Sequence, residues 1–145
     1  MQTDTLVDPE LGGLFLGLGI RPYFTRIPAM PEVRTDTLNL MAATMTDTAA
    51  MLPPDVGIRA IAYACTSGAT ILGEARVAEL IRTAHPGVEV SNPLSALKAA
   101  CRALGIRTLG LVSPYVAEVS DALRASLAAD GVEVTAYGSF EQAED

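Results

Sequence analysis

The sequence has no tryptophan, one histidine and two cysteines in 145 residues. Each scarcity excludes something. Cys65 and Cys101 lack close metal-type spacing, and the single His85 sits in a His-Pro-Gly turn, so a zinc site is not expected. Two cysteines without a disulfide pattern point to a reducing, cytoplasmic setting. Basic residues are also few, 10 against 17 acidic, for a net charge of -7. With no basic stripe, nucleic acid and anionic membrane are poor partners. Long apolar runs are missing too. The stretch Leu11 to Ile20 is interrupted by Gly12, Gly13, Gly17 and Gly19 and is too short to span a bilayer. The start carries no basic n-region of a signal peptide.

What is present is a globular composition, 50% hydrophobic and 19% charged, of a length that suits one domain with a real core. Apolar runs of strand length alternate with segments of helical spacing. That rhythm predicts an α/β fold with a parallel sheet flanked by helices.

The organising stretch is Ile58 to Thr70. It opens as an apolar strand, stops at Cys65, and passes through Thr66, Ser67 and Gly68 into a helix expected from Ile71 to Ala84. A buried parallel strand reads as such a continuous run. Ligands of open α/β sheets sit beyond the carboxyl ends of the strands. Backbone N–H groups at a strand-to-helix turn attract anions and favour a thiolate. Cys65 is therefore the candidate nucleophile or base, with Thr66 and Ser67 beside it. The alternative is that Cys65 is a small buried hydrophobe.

Around this stretch the chain predicts a glycine-weakened helix over Pro9–Leu18 and a strand over Arg21–Ile27. A helix capped by Thr35 or Thr37 follows, with Leu38, Met41, Ala42, Met45 and Ala49 on its core face. Val88–Val90 reads as a brief strand. Asn92 and Pro93 open a helix whose apolar face is Leu94, Leu97, Cys101 and Leu104, which makes Cys101 a core residue. Arg107–Val112 reads as a strand, Val116 to Leu127 as a helix, and Val132–Tyr137 as a last strand. Residues 138–145 read as an acidic tail or the beginning of a helix. Polar strand ends at Thr3-Asp4, Cys65-Thr66-Ser67, Asn92 and Ser113-Pro114-Tyr115 would share one edge of the sheet. Tyr115 could donate to a carboxylate or enolate oxygen. Asp4 either meets a ligand or caps the first helix. Glu74 and Arg76 read as a solvated face.

The segments Ala64-Cys65-Thr66-Ser67-Gly68, Asn92-Pro93 and Ser113-Pro114-Tyr115 with Glu118-Val119 resemble the aspartate/glutamate racemase superfamily. The nearest branch resembles maleate cis–trans isomerase and arylmalonate decarboxylase. The run Gly73 to Val77 is most similar to ectoine-utilisation proteins. The resemblance implies two similar α/β lobes, residues 1–92 forming the first and 93–145 opening the second. It implies no cofactor and no metal. It implies action on a small carboxylic acid, with Cys65 attacking or deprotonating carbon, while a sheet edge left unpaired by a missing first strand would invite self-association, so a homo-oligomer is expected. Asp4, Thr66, Ser67, Asn92 and Tyr115 are the implied substrate-binding residues. The related decarboxylases have glycine where Cys65 stands, which points to isomerase or racemase chemistry. An asparagine is usual where Asp4 stands. An acid there would repel a dicarboxylate and suit an amino group. A first strand ahead of Thr3 and a second cysteine on a later strand are both implied and not found. The chain is then expected to be a fragment, or to have lost the two-cysteine mechanism and act as a carboxylate-binding module. A thiol hydrolase is a weaker reading, because His85 lies at the far end of the helix after Cys65.

Overall fold

A computed structural model describes residues 4–143. The elements in order are α1 (Val7–Leu16), α2 (Thr35–Ala50), a 3-10 turn (Pro54–Val56), β1 (Ala60–Ala62), α3 (Thr66–Leu72), α4 (Glu74–Ala84), β2 (Glu89–Ser91), α5 (Pro93–Leu104), β3 (Thr108–Tyr115), α6 (Ala117–Ala129) and β4 (Glu133–Gln142). The fold is α/β with parallel strands, as the alternating pattern predicts. The strands form two separate parallel pairs. Ala60 stands opposite Glu89 and Ala62 opposite Ser91 in the first pair. Thr108 stands opposite Glu133 in the second, with register shifts at Leu109/Gly110 and Ser113/Tyr115.

Helix faces follow the sequence pattern. Leu38, Met41, Met45 and Ala49 of α2 are buried, as are Val119, Leu123 and Leu127 of α6. Val77 of α4, Leu94 and Cys101 of α5, and Val132 ahead of β4 join the same core. Leu104 departs from its expected face and is exposed at the last turn of α5. Gly105 follows it at φ +67, the left-handed position that ends helices, so the face is lost there.

Several expectations are corrected. The helix predicted from Ile71 to Ala84 is two helices, broken at Gly73, whose φ of +84 no helix accommodates. The first helix begins earlier than predicted, at Val7, with Leu6 as its cap position; Asp4 Oδ1, ahead of it, accepts from the Val7 amide at 3.0 Å. Regular pairing of the central strand covers only Ala60–Ala62 of the predicted run. Residues 21–27 form no strand, since no neighbouring strand pairs with them among the described residues. Arg34, not Thr35 or Thr37, is the cap position of α2; the Thr37 hydroxyl accepts from the Arg34 amide at 3.2 Å. Residues 138–142 are neither tail nor helix, and residues 144 and 145 of that predicted segment lie outside the described residues. The described part continues β4 to Gln142, paired along the full length of β3.

Candidate active site around Cys65

Cys65 ends the extended segment after β1 and is the N-cap of α3, with φ -144 and ψ 109. Serine and threonine commonly fill this position because a side-chain acceptor meets the free amides of the first turn. Here sulfur plays that part. The Gly68 amide donates to Cys65 Sγ at 3.3 Å, and Ser67 Oγ lies 3.5 Å from the same sulfur. Cys65 is 4% exposed. The turn therefore offers the sulfur a backbone donor and a hydroxyl.

Gly68 and Tyr63 complete the shell. Tyr63, two residues before Cys65, is buried, and its hydroxyl donates to Met41 Sδ at 3.4 Å. A Cβ on Gly68 would stand 2.2 Å from the Tyr63 hydroxyl and 3.1 Å from Cys65 Sγ. Only glycine admits that approach. Burial, and then the neighbouring Cys65, push the Tyr63 phenol far above the ordinary tyrosine range, so it stays a neutral O–H donor.

The other predicted site residues are distributed as follows. Thr66 opens α3 and is half-buried; its carbonyl accepts from Thr70 Oγ1 at 2.8 Å. Ser67 is buried beside the sulfur. Asn92 directly follows β2, the strand paired with β1, which puts it at the same edge as Cys65. Its side-chain oxygen is engaged as the cap of α5, accepting from the Ser95 amide at 2.9 Å. Tyr115 is the last residue of β3, in the other strand pair, and is half-buried. Its backbone is held by three serines: Ser113 Oγ accepts from its amide at 3.1 Å, while Ser120 Oγ at 3.1 Å and Ser139 Oγ donate to its carbonyl. Thr3 lies outside the described residues. Asp4 makes a turn ahead of α1, with Oδ1 accepting from Leu6 N at 2.8 Å and Val7 N at 3.0 Å. Those bonds, Val7 foremost, hold its carboxyl below the usual carboxylate range.

Two voids flank the strand end. A cavity of about 770 Å³ runs along β1 and is lined by Asp4, Arg26, Ala62, Tyr63, Ala64 and Ser91 among others. A void of about 10 Å³ touches Ser67 beneath residues 29–38. Size favours the first as a ligand site, chemistry the second. The large cavity has largely apolar walls and does not include Cys65, whereas the small one abuts the hydroxyl nearest the sulfur. It has room for about one water.

Sequence reasoning missed four residues here. Tyr63 carries a period-two signal, since a residue two before Cys65 faces the same side of an extended chain. Ser120 and Ser139 carry none, because their partner is a backbone carbonyl. Glu74 is not solvated as expected: it pairs with Lys98, whose side chain is 11% exposed. Arg76 does face solvent and pairs with Glu79 at 2.7 Å.

No known family profile matches the sequence, and no curated protein matches it. Solved structures do match. The chain is similar to a Nocardia farcinica maleate cis–trans isomerase, a cysteine-to-serine variant with a covalently bound succinylcysteine intermediate: 26% identity, TM-score 0.68, covering 79% of this chain and 49% of that one. It is similar in fold to the maleate isomerase of Pseudomonas putida S16, with 20% identity, TM-score 0.77, and coverage of 99% of this chain and 61% of that one. A variant of arylmalonate decarboxylase in liganded form is 25% identical at TM-score 0.63, over 76% of this chain and 47% of that one. The resemblance to maleate isomerases and arylmalonate decarboxylase expected from the Cys65 and Tyr115 motifs is thus found in the fold. The chain spans about half to three-fifths of the length of these structures.

Proposed function

We propose that this chain carries the Cys65 half of a cofactor-independent isomerase or racemase acting on a small carboxylic acid. The observation that carries the reading is the strand-end sulfur itself, with the Gly68 amide at 3.3 Å and Ser67 Oγ at 3.5 Å. The Nocardia isomerase holds its succinyl group on a cysteine. A thiolate at Cys65 would likewise add to a double-bond carbon or remove a proton from carbon, while donors nearby hold the carboxylate. In this reading Thr66, Ser67 and Asn92 lie near the acid end of the substrate, Tyr115 donates to a carboxylate oxygen, and Asp4 favours an acid that bears an amino group over maleate. The two unpaired thiols suit a reducing cytoplasm. Residues 1–92 and 93–145 would belong to two lobes of a homo-oligomeric enzyme, and the Gly73–Val77 resemblance would assign it to ectoine breakdown.

A second reading is a carboxylate-binding module without turnover. Cys101 favours it: that second thiol is 2% exposed on the core face of α5, not at a strand end. A panel of maleate, aspartate and related small acids, assayed for isomerisation and racemisation with the native chain and Cys65→Ala, separates the two. Turnover lost in Cys65→Ala supports the enzyme. Saturable binding without turnover supports the module. Turnover that survives Cys65→Ala contradicts both assignments of Cys65.

A further inference from the structure

The site description leaves one buried polar group without a task. Tyr63 is 7% exposed; its hydroxyl donates to the Met41 thioether, a weak acceptor, at 3.4 Å, and the Cys65 side chain lies within hydrogen-bonding reach of it. The same hydroxyl and Cys65 Sγ flank a single point, the position a Gly68 side chain would take. The hydroxyl therefore lies between Met41 Sδ on α2 and the turn that presents the thiol.

We propose that Tyr63 is the positioning residue of the Cys65 thiol: its hydroxyl rests on Met41 Sδ while the sulfur is neutral and donates to Sγ when the sulfur ionises. This rests on the reading of Cys65 as the working thiol. The physical case is a comparison of acceptors. A thiolate is a far better acceptor than a thioether, and a hydrogen bond to a charged partner is roughly twice as strong as a neutral one. Rotation about the buried phenol's C–O bond redirects the proton without moving the ring. The Gly68 amide and Ser67 hydroxyl already face the sulfur, so Tyr63 would complete a set of three donors.

Other ionisable groups do not take this part. The elements packed on α3 are α2, α4, α5 and α6. They carry Asp36 and Asp47, Glu74, Lys98 and Glu118 among their charged side chains. Asp36 pairs with Arg34, Glu74 with Lys98, and Glu118 accepts from Thr35 Oγ1 at 2.8 Å, while Asp47 is exposed. None of the five is hydrogen-bonded to Cys65 or Tyr63 among the described residues.

The test is the pH profile of iodoacetamide alkylation, resolved to the Cys65 peptide, in the native chain, Tyr63→Phe and Met41→Leu. It uses no substrate, so it is independent of whether the isomerase reading holds. Tyr63→Phe should move the midpoint up by about one to two pH units, the worth of one hydrogen bond to a charged group. Met41→Leu removes the competing acceptor and should move the midpoint down. Opposite shifts are beyond a merely structural role, which would change the plateau rate through access and leave the midpoint in place. An unmoved midpoint in Tyr63→Phe, or shifts of the same sign in both variants, overturns the proposal. If Tyr63→Phe fails to fold, Met41→Leu decides alone, and the absence of a downward shift overturns it.

Discussion

The amide of Gly68 and the sulfur of Cys65 are 3.3 Å apart, and the Tyr63 hydroxyl occupies the space where Gly68 would carry a side chain. Gly68→Ala must therefore displace the phenol, its Cβ falling 2.2 Å from that oxygen. The expected cost is about 1–3 kcal/mol, the range for overpacking a core. In Gly68→Ala/Tyr63→Phe the offending oxygen is gone, so the double variant should recover part of that loss. Urea denaturation of the four proteins of the cycle measures it. Strict additivity would mean that the two residues do not touch in solution.

The Asp4 turn ahead of α1 should be pH-dependent. The Asp4 carboxyl is held low by the Val7 and Leu6 amides, against an ordinary value of 3.8. A depressed carboxylate contributes stability that is present above its unfolded value and lost as pH falls through its folded value. Amide exchange at Leu6 and Val7 should thus speed up in that acid window, over and above its intrinsic pH dependence. In Asp4→Ala both amides should exchange fast at neutral pH. Equal protection in native and variant chains would remove the turn from the account.

The Glu74–Lys98 pair ties the start of α4 to α5. Lys98 is mostly buried while Glu74 is 28% exposed, so the pair falls between surface and buried behaviour. Lys98→Met should cost about 1–2 kcal/mol, and Glu74→Gln/Lys98→Met should recover part of it by removing the charge left alone. Thermal unfolding of these variants checks the order.

The α/β alternation, the buried faces of α2 and α6, the cap at Asn92 and the turn at Cys65 were legible in the sequence because each rests on local spacing or one cap residue. The break at Gly73 was not. Both halves of that segment keep helical spacing, and only the backbone angle of one glycine divides them. The strand at 138–142 was hidden as well. Its pairing with β3 is non-local, and Gly138 and Glu141 are poor strand residues. At the site, Cys65 and Ser67 were readable as neighbours, but the Tyr63–Gly68 contact depends on how the turn folds back on the strand.

Tyr115 sits in the second strand pair with its backbone fixed by Ser113, Ser120 and Ser139. That support holds the backbone in place when the side chain is changed. In Tyr115→Phe, binding of a small carboxylic acid, measured by calorimetry, should weaken by about 1–2 kcal/mol, as for one lost hydrogen bond to a charged group. Unchanged affinity would take Tyr115 out of the carboxylate site.

The central claim is that Cys65, not Cys101, is the working thiol of a carboxylate site. Its most direct measurement is iodoacetamide labelling resolved by peptide mapping, with and without a small-acid panel that includes maleate and aspartate. The account predicts that Cys65 labels first, that Cys101 stays protected on the core face of α5, and that at least one acid slows labelling of Cys65 in a saturable way. Preferential labelling of Cys101, or a Cys65 rate indifferent to every acid, would contradict it.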